Sequence, residues 1–356
     1  MLKNRLTLYN DDGLTGWRQL KTNNAENYDF IDLLKGLGIF LVVWGHTMLP
    51  RSVLIYSFHM PLFFFISGFL YKNKPLKEFL SSKIIRLYVP YILFTILSWT
   101  FYLVMLGFQE RQDLIGPHLP KILSLFNGSG KNGGNDSIWF LTCLMVVNLL
   151  FWCLDNLVKK PGLILAVVLV GSGVGYHLGI ERIFLPFKTD VAFTALVFFF
   201  LGHCFRKWNW TERMKQLKWS AVILFFIFCQ ALHFYLARLN INLSGIPKVS
   251  MFSNNLGNYF LFYLTAIIAI MGLMVIGYKI GFIHGFNFLG HHSLIILATH
   301  KPLLFLFKFM LNSYIDTNSR LYGILIAVFV IILTLSLIYL LQLRNSSLTK
   351  PRYHKI

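Results

Sequence analysis

The sequence predicts an all-α protein, a polytopic bundle of about ten transmembrane helices with both termini in the cytoplasm. Of its 356 residues, 56% are hydrophobic and 13% are charged, whereas a soluble domain carries about 25% charged residues. Apolar runs of about 20 residues, long enough to cross a bilayer as a helix, recur almost to the end of the chain. Because these runs are continuous and closely spaced, they predict a single membrane domain.

The predicted spans follow one another with short connections. They cover residues 30–50, 53–71, 87–107, 138–157, 162–180, 191–205, 218–237, 258–280, 289–311 and 321–342. The sixth is short unless it begins in the preceding loop. This pattern divides the chain into a cytoplasmic extension at 1–28, a membrane domain at 29–342 and a basic cytoplasmic tail at 343–356.

The net charge of +19 would also suit a nucleic-acid-binding protein, but its distribution argues against that class. The cations cluster in short loops between predicted spans, chiefly at 72–86 and 206–218. Such loops stay on the cytoplasmic side of a membrane. We therefore interpret most of these charges as topology signals and expect the lipid bilayer, with no nucleic acid, as a partner.

The first span carries ionisable residues that are costly inside a bilayer and so mark a functional hypothesis. Asp32 and Lys35 are three residues apart and can pair at the cytoplasmic entrance. Lys35 and His46 are eleven residues apart, so they share nearly one helix face about 16 Å apart along the axis. A neutral imidazole at that place can take a proton from a hydroxyl. His46 is therefore predicted to be catalytic.

The second span returns past His59, at about the depth of His46. His59 is predicted either to share the catalytic role or to be structural. Ser67, beside Gly68 in FFFISGF, is a candidate site-lining residue, although close helix packing is the favoured explanation of this pair.

Two later spans begin with residues of interest. Arg86 precedes LYVPY and could bind a phosphate, although a lone basic residue there is commonly a topology signal. Trp139 starts the fourth predicted span, where we expect an interfacial anchor rather than a substrate platform.

His300 lies deep in the ninth predicted span and is expected to line the site. The neighbouring histidines do not have the spacing of an H-x-x-x-H metal motif. Four cysteines lie within or beside apolar runs without a C-x-x-C pair. We therefore predict no metal site. The loop at 108–137, which includes NGSGKNGGND, is expected to be a flexible loop or a lid.

These residues together resemble the acyltransferase-3 family of integral-membrane O-acyltransferases, and within it the branch close to fucose 4-O-acetylases. The strings IDLLKGLGIFLVVWGH and FHMPLFFFISGFLY carry the resemblance, with Lys35 and His46 in the place of a basic residue, ten residues and a His. Further similarities are Arg86 before L-x-V-P, the aromatic sequence at Trp139, and GHHSLIILATH ending at His300. One departure is Lys at 35, where many members carry Arg, which offers a bidentate fork.

The resemblance implies transfer of an acyl group, usually acetyl, from cytoplasmic acyl-coenzyme A to a hydroxyl of a cell-surface or exported glycan or lipid-linked sugar. It implies that His46 is catalytic and that Lys35 helps to hold the donor. Arg86, at the same cytoplasmic face, is a second candidate anchor for the donor. The expected location is the cell inner membrane. Acetyl-coenzyme A would be a substrate rather than a permanently bound cofactor, and the oligomeric state, including a homodimer, stays open.

A second hypothesis of another class is a transporter or flippase of glycans or lipid-linked sugars. In that case the polar residues would line a pathway and would not take part in bond chemistry. Release of coenzyme A by the purified protein distinguishes the two hypotheses.

Overall fold

The computed structural model describes residues 29–47, 52–108, 128, 135–311 and 323–336. Within these ranges the chain is helical and contains no strand, which confirms the all-α prediction for this part. The predicted extension at 1–28, the tail at 343–356 and nearly all of the predicted lid loop lie outside the described residues.

The helices are numbered here in chain order. They are α1 Asp29–His46, α2 Ser52–Tyr56, α3 His59–Phe69, α4 Leu76–Lys83, α5 Val89–Phe108, α6 Trp139–Leu157, α7 Pro161–Ile180, α8 Thr189–Lys207, α9 Trp210–Lys215, α10 Trp219–Ser244, α11 Tyr259–Ile280, α12 His284–His291, α13 Ser293–Leu311 and α14 Gly323–Ser336.

Seven helical segments in the described ranges are long and apolar enough to cross a membrane. They are Leu76–Gly107, Asp136–Leu157, Pro161–Ile180, Pro186–Lys207, Trp219–Ser244, Tyr259–Ile280 and Ser293–Met310. α1 has 18 residues and carries Asp29, Asp32 and Lys35 in its first two turns, while Val53–Phe69 and Gly323–Ser336 are shorter. The chain is therefore a multi-pass membrane protein. The total of ten spans and the cytoplasmic termini stay predictions.

The second predicted span is not one continuous helix. It divides at Ser57 and Phe58 into α2 and α3, and Pro61 lies in the first turn of α3. A proline has no backbone N–H, so a continuous helix could not bond residue 61 to the carbonyl of Ser57. The side-chain hydroxyl of Ser57 lies 2.8 Å from Nε2 of His233, so the break contacts the neighbouring helix α10.

The ninth predicted span is also divided, and it begins earlier than expected. α12 and α13 meet at His292, whose Nδ1–H donates to the carbonyl of Phe288 at 2.9 Å. The predicted basic loop near residue 80 is partly helical as well. α4 enters α5 through a π-helical turn at Ile84–Tyr88, and this turn carries Arg86 at an exposed position.

Two glycine contacts set the spacing of the bundle. A Cβ on Gly36 of α1 would lie 1.8 Å from the carbonyl oxygen of Phe286, and one on Gly290 of α12 would lie 1.8 Å from that of Asp32. α3 and α8 meet in the same way, because a Cβ on Gly68 would lie 1.9 Å from the carbonyl oxygen of Phe199. These backbones touch directly, so no larger residue fits.

The core is a layer of buried aromatic and aliphatic side chains between these helices. α8 lies near its centre and packs against α3, α6 and α7, while α11 packs against α10 and α1. α10 ends at Gly245, whose φ of 67° suits a helix C-terminus. The loop that follows returns over the bundle to α11, which is capped by the Asn258 side chain.

Candidate active site

His46 and His300 are brought together by two helices that start from one contact. Gly36 on α1 touches α12 at Gly290. Each histidine lies ten residues further along the chain, which for the continuous helix α1 is about 15 Å, while the path from Gly290 to His300 passes the break at His292 into α13. The two imidazole rings therefore lie at the same depth and stack, with centroids 5.3 Å apart and planes inclined by 30°.

Tyr56 and His59 reach the same place from the broken second span. Tyr56 is the last residue of α2 and His59 the first of α3. The Tyr56 ring meets His59 edge to face at 5.2 Å, and its hydroxyl oxygen lies 3.2 Å from Nδ1 of His46. The break thus places three polar rings side by side at the end of α1.

A cavity of about 210 Å³ opens among these side chains, and we call it the histidine cavity. Its wall includes His46, Tyr56, His59, Trp139, Lys248 and Lys301. Trp139 is 6% exposed, so our prediction of an interfacial anchor is wrong, and its ring lines the cavity.

Positive charges lie at the edge of the histidine cavity. The Lys301 ammonium pairs with the Asp136 carboxylate at 3.0 Å. The Lys248 ammonium lies 4.2 Å from the centroid of the Tyr56 ring. Cations at the edge of a cavity stabilise an oxygen that gains negative charge within it.

The hydrogen bonds determine which ring nitrogens carry hydrogen in two of the histidines. The Nδ1–H of His59 donates to the carbonyl of Ile55 at 2.6 Å, and a carbonyl can only accept. Nδ1 of His300 donates to the carbonyl of Ile296 at 3.0 Å, while its Nε2 lies 3.3 Å from the Ser137 hydroxyl. Both nitrogens of His300 are therefore occupied, and His300 packs against His46 without being part of the cavity wall, so its expected site-lining role stays a prediction.

The tautomer of His46 follows from the single hydrogen of the Tyr56 hydroxyl. The Tyr56 oxygen lies 3.2 Å from the carbonyl oxygen of Gly45 and 3.2 Å from Nδ1 of His46. Both contacts are hydrogen bonds if the Tyr56 hydroxyl donates its hydrogen to the Gly45 carbonyl and its oxygen accepts the hydrogen on Nδ1 of His46. The lone pair of His46 then resides on Nε2. Among the described residues, Nε2 of His46 and Nε2 of His59 have no hydrogen-bond partner, so both are available as bases.

Four predicted residues lie away from the histidine cavity. Lys35 pairs with Asp32 at 2.6 Å near the opposite end of α1, with side chains 26% and 37% exposed. Arg86 lies on the exposed π-helical turn, and Ser67 lies on α3, eight residues from His59. Their predicted roles in binding or lining a site stay predictions.

Sequence reasoning missed Tyr56, Asp136, Ser137, Lys248 and Lys301 as neighbours of the histidines. Lys301 did carry a signal, since a charge within an apolar span is costly and marks a candidate site. No group of three potential metal ligands occurs in the described ranges.

A comparison with known protein families matches residues 28–343 to the family described as the acyltransferase domain, the acyltransferase-3 family of the sequence resemblance. The chain belongs to this family. The acyltransferase matches no curated protein and no solved structure in the corresponding searches. Since the match covers most of the chain, it confirms the prediction of an acyltransferase and supports it over a transporter or flippase. The closer likeness to fucose 4-O-acetylases stays a prediction.

Proposed function

We propose that this acyltransferase moves an acyl group, most simply acetyl, from acyl-coenzyme A to a hydroxyl of a cell-surface or exported glycan. The observation that carries the proposal is the arrangement of His46 and Tyr56. The Tyr56 hydroxyl holds Nδ1–H, so the basic Nε2 of His46 is available at a cavity between helices.

The proposed reaction needs one base and one group that favours negative charge on oxygen. Nε2 of His46 takes the proton of the acceptor hydroxyl while the hydroxyl oxygen attacks the thioester carbonyl. The carbon–sulfur bond then breaks, and the coenzyme A thiolate takes up a proton. Lys301 or Lys248, at the cavity edge, favours the negative oxygen of the tetrahedral intermediate.

His59 is the second proposed catalytic histidine, because its Nε2 also lacks a partner among the described residues. It is 4% exposed and lies beside the same tyrosine as His46. An acyl group could also pass through a covalent acyl-histidine. The proposal takes direct attack as the simpler path, since it needs no second transfer.

The two substrates are proposed to approach from opposite ends of α1. Lys35 and Arg86 lie at ends of spans that the charge pattern predicts to face the cytoplasm, where acyl-coenzyme A is dissolved. The histidine cavity lies at the other end of α1, where an exported acceptor would arrive. The proposed location is the inner membrane of a bacterial cell.

The test compares the purified wild-type enzyme with His46→Ala, using acetyl-coenzyme A and surface glycan from cells that lack the gene. We expect His46→Ala to lower coenzyme A release about 10²- to 10⁴-fold, the usual contribution of a general base. Mass spectrometry of the glycan identifies the acylated product. His284→Ala is the control, since His284 lies outside the histidine cavity. A folded His46→Ala enzyme with more than about a tenth of wild-type turnover would show that His46 is structural.

A further inference from the structure

A second cavity lies at the end of α1 away from His46. It has a volume of about 690 Å³, and we call it the basic cavity. Phe30 at the start of α1, Phe69 at the end of α3, Arg206 at the end of α8 and Tyr278 at the end of α11 contribute to its wall. Sixteen residues, or about 24 Å of helix, separate Phe30 from His46.

One part of this wall is aromatic. Phe30 meets Phe69 edge to face with centroids 5.8 Å apart, and it meets Tyr278 in the same way at 5.2 Å. The hydroxyl of Tyr71 donates to the Asp155 carboxylate at 3.2 Å, which holds a further ring at the cavity. Phe30, Phe69 and Tyr71 are buried and support this wall, so the partly exposed ring of Tyr278 is the aromatic face that can accept a flat heterocycle by stacking.

The other part of the wall is cationic. Arg206, Lys207 and Lys215 line the cavity against a single carboxylate, Glu212. The guanidinium of Arg206 also reaches the carbonyl of Phe69, 3.5 Å away, and so links the cations to the aromatic wall. The Lys215 ammonium pairs with the Glu212 carboxylate at 2.6 Å, and this hydrogen bond raises the pKa of the ammonium.

The segment that carries these cations has a defined position. The Trp210 ring stacks on Phe205 at 5.9 Å with planes 16° apart. The ammonium of Lys279 on α11 donates to the carbonyl of Leu217 at 2.8 Å, just after α9. The basic residues near 210, which the sequence indicated only as a topology signal, therefore form part of a cavity wall.

We propose that the basic cavity binds the nucleotide portion of the acyl donor, with the purine against the aromatic wall and the phosphates against Arg206, Lys207 and Lys215. The volume falls within the roughly 300–1,000 Å³ of typical small-molecule sites. This inference rests on the proposed donor, acyl-coenzyme A, whose nucleotide combines a purine with several phosphates. It does not depend on Lys35 or Arg86, because neither lines the cavity.

The test measures binding of adenosine 3′,5′-bisphosphate, the nucleotide unit of coenzyme A, by calorimetry on protein in phosphatidylcholine nanodiscs. The main variant is Lys207→Gln with Lys215→Gln, because both side chains are exposed and their loss leaves the packing intact. We expect affinity to fall about ten- to a hundredfold. Arg206→Gln is a second variant with the same expected loss. Lys160→Gln, an exposed cation between α6 and α7, is the control and should bind like the wild type.

The outcomes separate this inference from the proposed reaction. Unchanged bisphosphate affinity in both variants overturns the assignment of the basic cavity, even if His46→Ala abolishes transfer. If the variants lose bisphosphate affinity but the wild type never releases coenzyme A, the assignment of the basic cavity is supported and the proposed reaction is wrong. The remaining outcome is that the basic cavity binds a lipid headgroup. Either of two results would show this: glycerol 3-phosphate binds as tightly as the bisphosphate, or phosphatidylglycerol in the nanodisc displaces the bisphosphate. Either result overturns the nucleotide assignment.

Discussion

At the scale of single residues, the Tyr56 hydroxyl determines which nitrogen of His46 is basic. Tyr56→Phe removes the hydroxyl that lies 3.2 Å from Nδ1 and allows the imidazole to adopt the other tautomer. A neutral hydrogen bond contributes about 0.5–1.5 kcal/mol, so we expect turnover to fall about two- to tenfold. Coenzyme A release as a function of acceptor concentration measures the effect.

The Tyr56→Phe measurement distinguishes positioning from acceptor binding. A positioning role lowers kcat and leaves the acceptor KM nearly unchanged. Tyr235→Phe on α10 is the matched control, because that ring is 62% exposed. A variant in which only KM rises would assign the hydroxyl to acceptor binding instead.

Lys35 provides a second residue-scale prediction, at the donor end. A charge-assisted hydrogen bond is worth about 1.5–3 kcal/mol, so Lys35→Gln should weaken acetyl-coenzyme A binding about ten- to a hundredfold. Arg86→Gln should act in the same direction, and Lys35→Arg should bind nearly as well as the wild type. Calorimetry on the folded protein measures the affinities. Equal affinities for the wild type and both Gln variants would leave Lys35 and Arg86 as topology charges.

The histidines of the site could be predicted from sequence, but most of their neighbours could not. His46, His59 and His300 interrupt apolar runs, and the cost of burying polar groups makes such positions informative. Tyr56 and Lys248 reach the cavity through a helix break and a returning loop. Their positions depend on packing between distant segments, which a local sequence pattern does not encode.

At the scale of helices, the contact between α1 and α12 sets the distance between His46 and His300. A Cβ on Gly36 would lie 1.8 Å from a carbonyl oxygen, so Gly36→Ala must separate the two helices. Overpacking of this kind typically costs about 1–3 kcal/mol. We expect a lower thermal unfolding midpoint in detergent and slower coenzyme A release.

Gly173→Ala on α7 is the matched control for this contact, since nothing lies within 4 Å of a Cβ at that position. Alanine is favoured over glycine in a helix by about 1 kcal/mol, so this variant should be as stable as the wild type or slightly more stable. Equal midpoints for Gly36→Ala and Gly173→Ala would show that the contact is not required.

Long apolar helices were predicted more accurately than interrupted ones. The predicted spans at 138–157 and 258–280 nearly coincide with α6 and α11. The break before His59 was not predicted, because mostly apolar side chains continue across it. At this break the carbonyls of Leu54 and Ile55 accept hydrogen bonds from the side chains of Ser57 and His59, and such contacts are not visible in composition. The break at His292 was not predicted because the predicted span began only at residue 289, near the end of α12.

At the scale of the whole molecule, the two cavities are expected to open toward opposite faces of the membrane. Lys248→Cys places a thiol at the histidine cavity, and Glu212→Cys places one at the basic cavity. A membrane-impermeant maleimide should label Lys248→Cys in intact spheroplasts and Glu212→Cys only after permeabilisation. The wild type is the control, because its four cysteines are free and mostly buried. Labelling of Glu212→Cys in intact spheroplasts would reverse the predicted orientation.

The packed layer between the two cavities also has a consequence for the energy balance of the cell. Along α1, the side chains of Ile31, Leu34, Ile39 and Val43 are buried and apolar between the basic cavity and the histidine cavity. Water and hydronium ions find no polar partners in such a layer. With no donor bound, the enzyme is thus expected to stay closed to proton leakage and to preserve the proton-motive force, and the arm of a bound donor must displace part of this layer to bring its thioester to His46. Substitution of these apolar side chains by small or polar ones should depolarise cells, even in a variant whose acyl transfer has already been abolished.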